Sequence, residues 1–314
     1  MKRGIIFILL TVVFLTSCEG LNPNKGRTDT GGAFIGGTQG IQVAFAEDEP
    51  PKKVLDNNQQ EFFVTLLLKN QGEFTVPVGG LIASLSGVSK KSFGLTTLNI
   101  KNTFPIAGAQ KDIGGSTPGG EELLEFGEAK YTNDIPADFQ TNLRADICYD
   151  YQTKAIANLC LKKDVLRKDI DDVCAVKVAN LKAQNSGGPF QVISMRQDTV
   201  GKNRIKLNFK VKNIGNGAIY EPKTFTNICA GQESNKDRVQ ITLTSPENNF
   251  KLECSQFGGK NEGIIRLVNG EKDITCSIDT TSLQEVTFQD LLIVEMDYMY
   301  RNAVVTQLTV ENAV

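Results

Sequence analysis

Two stretches of this chain repeat each other. Residues 143–161 read LRADICYDYQTKAIANLCL and residues 292–310 read LIVEMDYMYRNAVVTQLTV, aligned without a gap at an offset of 149. Tyr149 falls on Tyr298, Tyr151 on Tyr300 and Leu159 on Leu308. Upstream, LLKNQG at 67–72 matches KVKNIG at 210–215, and Gly120-Glu121 matches Gly270-Glu271. Three matches in one order at nearly one spacing identify two copies of a single unit. The unit is a strand-former. In Arg204–Lys212, RIKLNFKVK, apolar and polar residues alternate without a miss, the period of a half-buried strand. Arg238–Thr244 and Ile264–Val268 do likewise, and Asn269-Gly270 supplies a turn. In the first copy the strand-like runs are Glu61–Lys69, Gly80–Leu85, Glu122–Phe126 and Asn142–Gln152. Only Ala155–Asp172 offers any helical period, as one short helix in its second half. Short strands with Gly, Pro and Asn turns predict an all-β chain of two tandem antiparallel β-sandwiches. Each copy is expected to close on a hairpin, turning at residues 153–155 in the first and at Arg301–Ala303 in the second.

The amino terminus carries a different signal. Lys2 and Arg3 precede an apolar run from Gly4 to Leu15, too short to cross a bilayer, which is the pattern of a secretory signal peptide. Leu15-Thr16-Ser17-Cys18 resembles the lipobox of prokaryotic lipoproteins. That resemblance implies cleavage before Cys18, acylation of its thiol and attachment of the chain to membrane lipid; two acyl chains suffice where one holds only marginally. Seven glycines among residues 20–40 predict a flexible tether, with Ala33-Phe34-Ile35 able to dock. The expected order is therefore signal peptide 1–17, tether 18–40, first sandwich 41–162, charged connecting segment 163–188 and second sandwich 189–314.

Leu68-Lys69-Asn70-Gln71-Gly72 and Val211-Lys212-Asn213-Ile214-Gly215 each end an early strand with Asn-x-Gly. Together with the repeat, this resembles the CARDB-type, immunoglobulin-like domains of bacterial and archaeal surface proteins. The resemblance covers about residues 41–162 and 189–314 and implies architecture only, because one sandwich scaffold hosts many functions.

Setting Cys18 aside leaves six cysteines, an even number in an exported chain, and so a disulfide framework. If residues 153–155 turn, Cys148 and Cys160 face each other across a hairpin. Cys254 and Cys276 flank a strand, and Cys174 would then meet Cys229. The competing arrangement is Cys160 with Cys174 and Cys148 with Cys229.

Chemistry is hard to find. The chain has no His, which removes Ser-His-Asp and Cys-His catalysis and every His-containing zinc site. No P-loop, nucleophile elbow or S-x-x-K motif is present. Asp164, Asp169, Asp171 and Asp172 lack calcium-loop spacing and are interleaved with Lys162, Lys163, Arg167 and Lys168, which predicts a solvated, charge-laced loop. Gly114–Gly120 is Gly-rich with no strand before it and no helix after it, hence a loop. Net charge is −2, which gives no electrostatic case for nucleic acid. The expectation is an extracytoplasmic, membrane-anchored, non-catalytic protein with no catalytic residues, metal or cofactor, acting on a protein or glycan partner of the envelope. Alternatives are a surface-fibre subunit in which Ala33–Phe45 adds a strand to a neighbour, and an envelope hydrolase with an unrecognised site.

Overall fold

The computed structural model describes residues 32–168, 172–176, 179–247 and 249–313. The signal peptide, Cys18 and the tether up to residue 31 lie outside them, as do Asp169 and Asp171. The first copy contributes β1 (Ile41–Phe45), β2 (Lys53–Leu55), β3 (Glu61–Asn70), β4 (Leu81–Ser86), β5 (Asn99–Lys101), β6 (Gln110–Asp112), β7 (Gly115–Thr117), β8 (Glu121–Lys130) and β9 (Phe139–Leu161). After a link containing β10 (Ala179–Leu181) and β11 (Gln184–Asn185) come β12 (Phe190–Thr199), β13 (Arg204–Asn213), β14 (Ala218–Tyr220), β15 (Arg238–Thr244), β16 (Leu252–Cys254), β17 (Glu262–Arg266), β18 (Glu271–Asp279) and β19 (Phe288–Glu311). The described residues hold no α-helix; residues 162–168, where a short helix was expected to begin, form turns instead.

The repeat is visible in the topology. β1–β3–β8 form one sheet and β12–β13–β18 the centre of another, while β5–β4–β9 and β17–β15–β19 form the two halves of a third. Each half is thus two antiparallel layers packed face to face, with alternate residues turned into the core. In β13, Ile205, Leu207, Phe209 and Val211 are buried and the intervening residues face outward.

The closing hairpins do not form. β9 runs unbroken for 23 residues and β19 for 24, and they pair with each other in one antiparallel ladder from Phe288–Leu161 to Val310–Phe139. The supposed turns, Thr153-Lys154-Ala155 and Arg301-Asn302-Ala303, contain no Gly or Pro, and alternation continues through them. Thr153 is wholly buried, its hydroxyl 2.8 Å from that of Tyr298. A reversal there would take Thr153 out of the core and give up the partner strand for a short one. Asp150 and Met299, which are equivalent in the repeat, face each other, so a pseudo-two-fold axis passes through this pair.

The long strands also exchange ends. Residues 144–149 of β9 pair with β4, and residues 293–297 of β19 pair with β15, each within its own half. Beyond the axis each strand crosses over. The Gln197 side chain of β12 brackets Cys160, accepting from its N–H at 3.2 Å and donating to its C=O at 2.7 Å. Thr309–Glu311 pairs in parallel with β2. Residues Ala33–Val314 consequently form one compact unit, in which 41–162 and 189–314 mark halves of a shared sheet. The expected tether shortens too. Residues 33–40 lie on the body, where the Glu73 carboxylate accepts from the N–H groups of Ile35 (3.0 Å) and Gly36 (2.9 Å), and Gln184 accepts from that of Ala33.

The disulfides follow from the unbroken strand. Cys148 and Cys160 lie twelve residues apart on β9, which at ~3.3 Å per residue separates them by about 40 Å, far beyond bonding reach. The expected Cys148–Cys160 and Cys174–Cys229 pairs are therefore replaced by Cys148–Cys229 and Cys160–Cys174, with Cys254–Cys276 directly across β16 and β18. Cys148–Cys229 joins the first half to the second across 81 residues, whereas Cys160–Cys174 closes only 14. Chain entropy assigns them upper values of about 4.5 and 3 kcal/mol. Replacing Cys148 and Cys229 together by Ala should lower the denaturation midpoint more than replacing Cys160 and Cys174 together, as chemical unfolding of the two variants will show. A fragment of residues 189–314 lacks β9 and should give no cooperative unfolding transition by circular dichroism; a cooperative transition would contradict the exchanged ladder.

Candidate functional site

Where the halves meet, four tyrosines from the paired strands pack around the axis. Tyr149, Tyr151, Tyr298 and Tyr300 have ring centroids 5.7 to 6.4 Å apart. Phe74 and Phe190 meet Tyr151 and Tyr298 edge-on. The Asn-x-Gly turns are shaped around these rings. Asn70 and Asn213 each accept through Oδ1 from the N–H of the glycine two residues on, and donate through Nδ2 to the C=O four residues on. That glycine is obligatory, since a Cβ at Gly72 would collide with the Tyr151 hydroxyl and one at Gly215 with that of Tyr300.

Beside this cluster the surface opens into a crevice of about 300 Å³. Its first wall is residues 38–43 with Tyr149, and its second is Pro189, residues 214–217, Tyr300, Asn302 and Ala303. Both halves of the chain build it. No charged side chain lines it; the polar groups are amides, hydroxyls and backbone. Tyr149 accepts from the Ile41 N–H at 3.0 Å and Tyr300 from the Gly217 N–H at 2.6 Å, which leaves each hydroxyl its own proton to donate. Burial pushes both phenols above their ordinary pKa, well above it for Tyr149, so they stay neutral at physiological pH. Asn302 donates through Nδ2 to the Ile41 carbonyl at 3.2 Å, while its Oδ1 is shielded from solvent and has no hydrogen-bond partner. An unsatisfied buried acceptor is costly and asks for a donor. The crevice offers neutral donors and acceptors with an aromatic floor, an arrangement suited to holding hydroxyl or amide groups. Among its residues none forms a nucleophile–base pair.

The other face of the ladder is covered by the segment after β14. Ile82, Cys148, Tyr220, Phe225, Cys229 and Met299 make a small second core there, pinned by the Cys148–Cys229 bond. Next to it, Arg144 binds Asp146 in bidentate fashion at 2.8 and 2.9 Å, and Arg301 joins at 3.0 Å. Burial alone would raise the Asp146 pKa, but the two guanidiniums outweigh it and hold the carboxyl below its ordinary value. Asp150 and Asp297 on the same face go the other way, raised chiefly by burial. Asp297 is occupied by Gln152 at 2.8 Å.

Of the acidic cluster read from the sequence, Asp164 pairs with Lys202 at 3.4 Å. Asp172 binds the Thr287 hydroxyl and, at 2.9 Å, the ammonium of Lys162. Lys162 is fully buried and also donates to the Arg167 carbonyl, so the start of this segment is pinned into the core instead of being solvated. Gly114–Gly120 forms β7 and the return of a two-stranded hairpin. The crevice itself was not foreseen. Its one sequence signal is the coincidence of the repeated tyrosines with the repeated Asn-x-Gly, two motifs that meet only once β9 and β19 pair.

No family profile and no curated relative matches the chain. Among solved structures it is similar to the secreted serine protease VesC from Vibrio cholerae at 12% identity, covering 82% of this chain and 50% of that one, with a TM-score of 0.18. It is also similar to the collagen binding domain of Erysipelothrix rhusiopathiae surface protein RspB at 10% identity, covering 87% and 93%, with a TM-score of 0.11. The chain thus spans about half the length of the VesC chain.

The Asp146 cluster yields a test of the seam. Asp146→Asn should cost about 1.5–3 kcal/mol at pH 7, the range for hydrogen bonds to charged groups. Because the folded pKa is depressed, this stabilisation is present above the ordinary carboxylate range and lost as pH falls below it. The gap between wild type and variant should therefore shrink in denaturation curves taken below about pH 4.

Proposed function

We propose that the protein is a non-catalytic lipoprotein of the cell envelope that holds a protein or glycan partner through the crevice beside the tyrosine core. The charge-free lining carries the reading. A site lined by neutral phenols, amide side chains and backbone groups matches the hydroxyls of a saccharide or the amides of a peptide, and presents no formal charge to an ionic ligand. Three disulfides fit an oxidising, extracytoplasmic compartment. No helix among the described residues is long and apolar enough to cross a membrane, and attachment is assigned to an acylated Cys18, with the signal peptide removed. The fibre alternative is weakened because Ile41–Phe45, the latter part of the Ala33–Phe45 segment that would add a strand to a neighbour, already pairs with β3.

The test joins anchor and crevice. Cys18→Ala should move the protein from the membrane fraction to the soluble envelope fraction or medium. On a panel of envelope glycans and in cross-linking from intact cells, Asn302→Leu should reduce capture of the wild-type partner by roughly five- to tenfold, as expected for one hydrogen bond of ~1 kcal/mol. Unchanged capture by Asn302→Leu would remove the crevice from the reading, and retention of Cys18→Ala in membranes would remove the anchor.

A further inference from the structure

The hairpin of β6 and β7 carries an isoleucine where water-facing hairpins place Asn or Gly. Ile113, at its tip, is wholly exposed, with a relative accessibility of 111%. Added Cβ atoms at the following Gly114 and Gly115 would meet nothing within 4 Å, so none of the described residues covers this tip. The arm is nevertheless firmly built. Gln110, Lys111 and Asp112 pair with Thr117, Ser116 and Gly115, and the Thr117 hydroxyl donates to Asp112 at 3.1 Å. At its base the Ala109 N–H donates to the Gly72 carbonyl at 2.8 Å, fixing the hairpin to the first Asn-x-Gly turn.

Single exposed apolar residues are common and need no explanation. What singles out Ile113 is where the amino-terminal chain joins the body. Ile35, itself 41% exposed, lines one depression with Ala109, Ser116 and Thr117 at the foot of the hairpin. The backbone there is held by Glu73 through Ile35 and Gly36. From Cys18 to Gly32 is fourteen residues, which at ~3.5 Å each reach no farther than about 50 Å. An acyl group on Cys18 therefore holds the point where the chain joins the body, at the foot of this hairpin, within that distance of the lipid.

We propose that the β6–β7 hairpin is a membrane-contact finger, which inserts Ile113 into the interfacial region of the bilayer that holds the N-terminal anchor. The inference rests on the lipoprotein reading of Cys18. Residues 108–120 contain one Lys and one Asp, so the finger has no net charge. Its contact is apolar and insensitive to salt, unlike that of a polybasic patch.

The chain contains no tryptophan, so Ile113→Trp introduces a single reporter. The full mature variant is purified from membranes, its amino-terminal peptide is weighed, and it is reconstituted into phosphatidylcholine–phosphatidylglycerol vesicles with and without brominated acyl chains. Emission from the Ile113→Trp indole should shift to the blue on vesicles, be quenched by brominated lipid and hold its quenching at high salt. Ile264→Trp, on β17 of the other half, should stay red-shifted and unquenched. Equal emission from the two variants, or an Ile113→Trp spectrum unchanged by vesicles, would overturn the proposal. So would a blue shift that appears without lipid as protein concentration rises, because a second copy would then be covering the tip. If the peptide mass shows no acyl group, the lipoprotein reading fails. The finger is then judged separately by coupling the Cys18 thiol of the same variant to a maleimide lipid: quenching supports it and absence of quenching overturns it.

Discussion

The antiparallel ladder between β9 and β19 governs the rest of this molecule. Each copy of the repeat, taken alone, would end its second sheet on a long strand with an open hydrogen-bonding edge, the feature natural sheets must cover or blunt. Here the two copies cover one another. Pairing across the pseudo-two-fold axis turns two exposed edges into the centre of one sheet, and the crossing ends complete cores they do not belong to by sequence. The pairing joins residues far apart in the chain, so forming it carries a loop-closure entropy cost. The Cys148–Cys229 bond spans the same seam and takes part of that cost out of the unfolded state.

The tyrosines and the Asn-x-Gly turns are consequences of that seam. Four large rings on neighbouring strands fill the space where the layers of both halves converge, and their hydroxyls must find partners inside it. They find Ile41, Gly187, Thr153 and Gly217, three of them through backbone. Backbone can approach a phenol so closely only where a side chain is missing, which is why the turn residue is glycine in both copies. Motif, ring and ladder therefore form one device, repeated twice about the axis.

This dependence explains what could be read from the sequence and what could not. The strands were legible because alternation is local: RIKLNFKVK became β13 and RVQITLT became β15, each with the expected buried face. The partner of a strand is not local. Asn142–Gln152 was readable as a strand, but the pattern on either side of Thr153 is equally compatible with a strand that turns back and one that continues. Only the missing Gly or Pro at residues 153–155 argued for continuation. From that one decision came the disulfide error, since Cys148 and Cys160 can meet only if the chain reverses between them. Lys162 was misread for a related reason. Its charged neighbours in sequence are mostly exposed, while the groups that hold it, Asp172 and the Arg167 carbonyl, close around it through a loop whose shape no local pattern states.

The crevice inherits its character from this architecture. Its walls come from residues 38–43 of one half and 214–217 of the other, set against strands that cross between the halves. Its polar groups are the same hydroxyls and amides that satisfy the seam, and for that reason they are neutral. A buried charge at the axis would have to be desolvated against four aromatic rings, whereas phenols and an asparagine can be satisfied by backbone. The ion pairs of Arg144 and Arg301 with Asp146 and of Lys154 with Glu295 lie on the opposite face of the ladder. Neutrality of the site is thus a result of how the halves are locked together. A ligand held there would bond to the same hydroxyls and amide that close the seam, and its binding would then be linked to the integrity of the exchanged strands.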